Sequence, residues 1–160
     1  MRVVPIILGS KVDLEHGRAV AKGLHELGIH SEIRVCSAHK SPRRLMEILD
    51  AYEADERSKV YVTIAGRSNA LSAFVDAYVS NPVIACPPYS DRYGGADLYS
   101  SLRMPSGVAP AVVLEPAGAA LCAAKIFAVT DPAMRLFIQQ RHRAEAEKLD
   151  LDDRALREEG

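Results

Sequence analysis

Five short apolar runs alternate with helical patterns along the chain, and this alternation limits the possible folds more than any other feature. The first run covers residues 3–8, and the clearest covers residues 60–65, which are rich in β-branched side chains. Continuous apolar runs are typical of strands buried on both faces of a parallel sheet, with helices as right-handed crossovers. The sequence therefore predicts a three-layer α/β fold, built on a parallel sheet in a single domain.

The apolar periodicity also predicts where the other elements lie. Further strands are expected at 29–35, 82–86 and 110–114, and helices at 13–27, 41–54, 71–78, 97–104 and 118–127. Asp131-Pro132 then has the pattern of a helix start, and we expect a long last helix with a charged second half. We expect one domain over 1–160, with a core at about 3–130, a C-terminal helix at about 131–149 and a frayed tail over 150–160.

Composition excludes several classes of partner. The 20 Lys and Arg residues nearly cancel the 21 Asp and Glu residues, so no overall field attracts nucleic acid or a membrane surface. Cys36, Cys86 and Cys122 stand singly within apolar runs, without the spacing of a zinc site or a disulfide framework. The apolar run at 3–8 is too short for a signal peptide or a membrane span. We therefore expect a cytoplasmic protein with no metal.

Small polar residues and cations follow three of the predicted strands. Gly9-Ser10 follows the first strand, residues 36–40 follow the second, and residues 66–69 follow the third. The carboxyl ends of parallel strands meet at one edge of the sheet, where ligands of such folds bind. Hydroxyls, backbone N–H groups and the cations Lys40 or Arg67 are typical of a phosphate site. Because neither a P-loop nor a Gly-x-Gly-x-x-Gly pattern is present, we expect a small phosphorylated metabolite.

His39 lies in the second of these turns, within Ser37-Ala38-His39-Lys40. Ser41-Pro42 follows with the pattern of an N-cap and a first helical residue, which would make the turn short and stiff. A histidine titrates near neutral pH, so at this edge it suits a proton carrier, although it could instead only satisfy local backbone groups. The other histidines are expected to be solvated or packed: His16, His25, His30 and His142.

Four motifs together resemble the PurE family of purine biosynthesis over about residues 3–130. They are Gly9-Ser10-x-x-Asp13, Ser37-Ala38-His39-Lys40, Ala65-Gly66-Arg67-Ser68-Asn69 and Ser101-Leu102-Arg103-Met104-Pro105-Ser106-Gly107. The third motif and Lys40 resemble the second class of the family, the aminoimidazole ribonucleotide (AIR) carboxylases, which use carbon dioxide directly. The first class, the mutases that start from the N-carboxylated isomer, typically has an Ala-Gly-Ala-Gly-Gly turn and arginine after the histidine.

The resemblance implies a flavodoxin-like subunit in a homotetramer or homo-octamer, with sites near subunit contacts and without metal, biotin or ATP. Its reaction would be carboxylation of AIR to 4-carboxy-5-aminoimidazole ribonucleotide, with His39 as the proton carrier. The residues implied in binding substrate are Gly9, Ser10, Asp13, Ser37, Ala38, Lys40, Gly66, Arg67, Ser68 and Asn69.

Within that set, the resemblance implies that some residues bind the ribose phosphate and others bind carbon dioxide. Ser10, Asp13, Ser37 and Lys40 would hold the ribose phosphate, and residues 66–69 would form the wall of the carbon dioxide pocket. The residues alone leave Asp13 two compatible roles, as a helix cap or as an acceptor for ribose hydroxyls.

One position departs from the family pattern, because Val12 stands where the family usually has serine. The change removes a hydrogen bond of about 1.5–3 kcal/mol to a charged acceptor. Backbone N–H groups or Lys11 would have to compensate.

Two other functions remain open at this point. One is the mutase activity of the first class. The other is a non-enzymatic flavodoxin-like protein that binds flavin mononucleotide or a signalling nucleotide. The chain has no tryptophan and 6% aromatic residues, but Tyr89 and Tyr93 lie in a loop where a flavin ring could stack.

Overall fold

The computed structural model describes residues 1–158, and its six strands form one sheet in which the paired strands are parallel. The strand order is β2-β1-β4-β5-β6, and β3 pairs with β1. The strands are β1 (Arg2–Leu8), β2 (Ser31–Val35), β3 (Ser58–Lys59), β4 (Tyr61–Ile64), β5 (Val83–Ala85) and β6 (Ala111–Val112). The predicted parallel α/β fold is confirmed.

Six α-helices are found within residues 1–158. They are α1 (Leu14–Glu26), α2 (Pro42–Glu53), α3 (Ala70–Tyr78), α4 (Tyr99–Leu102), α5 (Pro116–Ala128) and α6 (Pro132–Glu158). Short 3-10 helices cover Lys11–Asp13 and Ala96–Leu98. Every helix predicted from the apolar periodicity is present. β6 is shorter than the predicted run over 110–114, because its one neighbour, β5, has only three residues to pair with it.

The chain forms two compact units, residues 1–124 and the part from residue 125 onward. The first unit holds the sheet, α1 to α4 and most of α5, and the second holds the end of α5 and α6. The expected single domain with boundaries at about 130 and 149 stays a prediction.

β1 forms the centre of the first unit, because it hydrogen-bonds β2 on one side and β4 on the other. Its residues Val3, Val4, Ile6, Ile7 and Leu8 have no exposed surface, which explains why this run contains no polar residue. In the register, Leu8 lies opposite both Val35 of β2 and Ile64 of β4. The three strands therefore end at the same level.

Two predicted helix caps are absent, although the residues occupy the cap positions. Asp13 precedes α1 and Ser41 precedes α2, but neither side chain accepts a hydrogen bond from its helix. Asp131 does cap α6, since its carboxylate accepts from the N–H groups of Ala133 and Met134 at 2.8 and 3.0 Å. The hydroxyl of Ser41 bonds within the preceding turn instead, so local competition overrides the cap preference.

The last helix is longer than predicted. α6 continues to Glu158, so the frayed tail expected over 150–160 is wrong for residues 150–158, and residues 159–160 lie outside the described part. Residues 149–158 contain no glycine or proline, and an ion pair joins Arg157 to Asp153 one turn earlier. Within residues 1–158, no helix combines the length and apolar character needed to cross a membrane.

The cap of α6 can be tested by replacing Asp131. Asp131→Ala should lower the free energy of unfolding by about 1 kcal/mol, because the N–H groups of Ala133 and Met134 lose their acceptor. Asp131→Asn keeps an acceptor oxygen and is the matched control. Urea denaturation followed by circular dichroism measures both variants, and equal stability of the alanine variant and the wild type would contradict the assignment of the cap.

Candidate active site

Three turns leave the sheet side by side, because β1, β2 and β4 end at the same level. The sheet ladder extends one residue beyond the strands, since the Gly9 N–H donates to Ile64 O and the Cys36 N–H donates to Leu8 O, both at 2.8 Å. The turns that follow begin at Gly9, Cys36 and Ala65. They carry every residue that the sequence assigned to catalysis or substrate binding.

The turn between β2 and α2 is closed by hydrogen bonds between Ser37 and Ser41. The Ser41 N–H and hydroxyl donate to Ser37 O at 2.9 and 3.2 Å, and the Ser37 N–H donates back to the Ser41 hydroxyl at 3.3 Å. Ala38 packs against the hydrophobic core, and the Lys40 N–H donates to the Ser37 hydroxyl at 3.3 Å. The turn is therefore anchored at both ends, and His39 lies at its exposed middle.

The side chains of His39, Lys40 and Arg67 are exposed at this edge. None of them forms a hydrogen bond or an ion pair with any of residues 1–158. An imidazole and two cations without intramolecular partners are available to a ligand, and the two cations favour an anionic one.

The turn after β1 places Ser10 and Asp13 at the start of α1. The Ser10 hydroxyl accepts from the Val12 N–H at 3.4 Å, a long contact that leaves the hydroxyl able to bind a ligand. Burial raises the pKa of Asp13, and the nearby His16 partly offsets this effect. Because the Gly9 N–H is used by the sheet, Gly9 contributes close packing against Ala65 rather than a free donor.

Asn69 ends the turn that follows β4, and its side chain is 3% exposed. Its Oδ1 accepts from the Ser72 N–H and hydroxyl at 3.0 and 2.7 Å, and its Nδ2 donates to the Ser101 hydroxyl at 2.9 Å. The amide thus caps α3 and holds the turn from inside. Gly66, Arg67 and Ser68 form the accessible part of this turn.

A cavity of about 520 Å³ opens beside Gly66. Most of the residues that line this cavity follow β5 or β6, among them Pro87, Pro88, Leu98 and Glu115. His16 of α1 also lines it. Ser68 and Asn69 line a second depression of about 490 Å³, which Tyr99–Pro105 bounds on the other side. Ser10, Ser37, His39 and Lys40 line neither of the two, so the single chain leaves the His39 side of the edge open.

His16 lines the first of these cavities, and the solvated or packing role expected for it from the sequence stays a prediction. The ring is half-buried on the cavity wall, with Nε2 3.4 Å from Cys86 Sγ. Burial lowers the pKa of His16, and the charge of Asp13 opposes that effect. Burial also raises the pKa of Cys86 to about 12, so its thiol stays protonated and can donate either to Leu114 O at 3.6 Å or to His16 Nε2.

Comparisons with known proteins indicate which family the chain belongs to. The family model described as AIR carboxylase matches residues 3–148. Phosphoribosylaminoimidazole carboxylase of Archaeoglobus fulgidus is 53% identical over 148 residues, which are 91% of this chain and 81% of that protein. The protein of the same name from Treponema denticola is 48% identical over 155 residues, which are 97% of this chain and 98% of that protein.

The fold comparison gives the same result. The crystal structure of Treponema denticola PurE matches with a TM-score of 0.93 and 48% sequence identity, covering 96% of this chain and 97% of that one. The family indicated by the four sequence motifs is thereby confirmed. From its sequence and its fold alike, this chain belongs to the AIR carboxylase family.

Proposed function

We propose that this chain carboxylates AIR with carbon dioxide to form 4-carboxy-5-aminoimidazole ribonucleotide, with His39 as the proton carrier. The observation that carries the proposal is the anchored turn that presents the side chains of His39 and Lys40, without intramolecular partners, at the same sheet edge as the exposed Arg67 turn. Family membership supports it, since the relatives that match at 53% and 48% identity are phosphoribosylaminoimidazole carboxylases.

The reaction requires little chemistry from the protein. The aminoimidazole ring of AIR is enamine-like, so its ring carbon attacks the carbon of carbon dioxide and one C=O electron pair moves to oxygen. The new C–C bond leaves a tetrahedral ring carbon, and transfer of its proton to His39 restores the aromatic ring. The protein must therefore hold the two reactants together and accept one proton, which are contributions of proximity and general base catalysis.

The polar groups of the first two turns suit the ribose phosphate. The Ser10 and Ser37 hydroxyls and the Lys40 ammonium can donate to phosphate oxygens, and the Asp13 carboxylate can accept from ribose hydroxyls. Val12 is largely exposed and provides no hydroxyl, so the phosphate depends more strongly on Lys40. Gly66, Arg67 and Ser68 would face the carbon dioxide side of the substrate.

We further propose that the active form is a homotetramer or a homo-octamer. Apolar side chains at Val129, Leu136 and Phe137 are 71%, 54% and 42% exposed, a group that a second copy would cover. The open His39 side of the sheet edge also supports an assembled site, because a reaction that must exclude water needs a closed pocket.

The role of His39 is tested by His39→Asn. The amide retains one hydrogen-bonding group but carries no proton that titrates near neutral pH, so turnover should fall by about 10²- to 10⁴-fold. AIR binding should survive, because the proposed phosphate ligands lie on other side chains. The measurements are turnover, AIR affinity and thermal midpoint on one preparation.

A matched control is His25→Asn, because His25 is exposed on α1 and has no assigned role. This variant should retain wild-type turnover. If His39→Asn lowered the thermal midpoint but kept the wild-type rate per folded molecule, His39 would be a structural residue and the proposed role would be wrong.

The choice of carbon dioxide as substrate separates carboxylase from mutase. With AIR and bicarbonate as the source of carbon dioxide, and without ATP, the protein should form carboxylated product at a steady rate. The N-carboxylated isomer should be a poor substrate when carbon dioxide is removed. A preference for that isomer would assign the chain to the mutases and would show that the Arg67-Ser68-Asn69 turn does not determine the class.

The assembly is tested by light scattering. At micromolar concentration the protein should have four or eight times the 17.4 kDa mass of one chain, because a symmetric assembly covers the exposed apolar residues. Phe137→Asp should shift the distribution towards smaller species, whereas Arg141→Asp, an exposed charge reversal on the same helix, should not. A wild-type protein that remains monomeric and fully active would contradict the proposal that the active site is completed by a second subunit.

A further inference from the structure

Four polar side chains form a buried cluster behind the Arg67 turn. They are Thr63, Asn69, Ser72 and Ser101, here called the Asn69 cluster, and each is 3% exposed or less. Thr63 Oγ1 and Ser72 Oγ are 2.7 Å apart, and Asn69 connects Ser72 to Ser101 as described above. Among residues 1–158, no buried side-chain nitrogen or oxygen lacks a hydrogen-bond partner, so each buried polar atom of the cluster has at least one.

The short helix α4 holds Asn69 at two points. The Ser101 hydroxyl accepts from Asn69 Nδ2 at 2.9 Å, and the neighbouring Ser100 hydroxyl accepts from the Asn69 N–H at 3.0 Å. Ser100 is itself fixed, because its hydroxyl donates to Asp97 O at 2.7 Å. The backbone and the side chain of one residue are thus bound by adjacent serines that lie more than 30 residues further along the chain.

This attachment determines where the accessible turn lies. The turn over 66–68 leaves the sheet just after Ile64 of β4 and ends at Asn69, so both of its ends are fixed. Gly66 lines the larger cavity and Ser68 lines the smaller depression, while Arg67 extends into solvent. A shift of Asn69 would displace all three of these residues relative to the other two turns.

We infer that Ser101 is a positioning residue for the carboxylation: through Asn69 it holds the Gly66-Arg67-Ser68 turn in the geometry that receives carbon dioxide. The inference rests on the proposed function for the identity of the small reactant. Ser101 is 1% exposed, so we expect it to act through Asn69 and not on a reactant directly. Its effect passes through one hydrogen bond to Asn69, which makes it distinguishable from a residue that binds either reactant.

The test is Ser101→Ala, which leaves Asn69 Nδ2 without its acceptor in a buried site. The KM for carbon dioxide should rise or kcat should fall, with a combined loss of about 10-fold in kcat/KM, because a misplaced positioning group is costly even at a small displacement. The KM for AIR should stay within about 2-fold of wild type, since the proposed phosphate ligands lie on the other turns. Ser80→Ala, on an exposed serine outside the cluster, is the control and should retain wild-type kinetics.

A double mutant identifies the route of the effect. If Ser101 acts through Asn69, adding Ser101→Ala to Asn69→Ala should change kcat/KM by less than about 2-fold. Equal and independent losses from the two substitutions would overturn the inference. A Ser101→Ala variant that loses kcat/KM equally for both reactants, in proportion to a lower thermal midpoint, would show a general structural role and would also overturn it.

A second measurement does not depend on activity. Amide hydrogen exchange in a peptide covering residues 66–69 should be faster in Ser101→Ala than in wild type, while a peptide covering residues 37–41 should be unchanged. Unchanged exchange over 66–69 would overturn the inference. If exchange over 66–69 increases but the wild-type protein does not carboxylate AIR, the proposed function fails and the positioning of the turn by Ser101 remains.

Discussion

The parallel pairing of β1 with β2 on one side and β4 on the other is the constraint on which the rest of the structure depends. Because Leu8 lies opposite both Val35 and Ile64, the three strands end in one row and their turns leave the sheet together. A slip of one residue in either pairing would turn the side chains of the slipped strand to the opposite face of the sheet and would separate the turns. The register of β1 with its neighbours therefore determines the position of His39, although His39 itself follows β2.

The two turns that carry the proposed chemistry are each held from inside by hydroxyl and amide groups. In the His39 turn, Ser41 bonds back to Ser37, and in the Arg67 turn, Asn69 bonds to α3 and α4. In both cases the anchoring groups are shielded while the neighbouring cation is exposed. Such an arrangement is expected of an enzyme that works mainly by placing two reactants together, because preorganised turns lose little entropy when the substrate binds.

The elements of the fold could be predicted from the sequence wherever one local pattern decided them. The β-branched run of β4, the apolar periodicity of α2 and the glycine at the end of α1, with Gly28 at a φ of 69°, are all such cases. Among the local predictions that were wrong are the cap at Ser41 and the end of the last helix, and each has its own physical reason. Ser41 has the identity of a cap but bonds to its own turn, and α6 continues beyond 149 because nothing in its sequence interrupts it.

The sequence by itself determined the parallel α/β fold, the turns that carry His39, Lys40 and Arg67, and the family, because strand periodicity and contiguous motifs are local properties of the chain. Only the tertiary structure decided that Asn69 faces inward to Ser101 and that His16 reaches a cavity wall beside Cys86. Asn69 and Ser101 are 32 residues apart, and His16 and Cys86 are 70 apart. Contacts over such separations follow from the packing of elements against the sheet, and no local pattern of residue types encodes them.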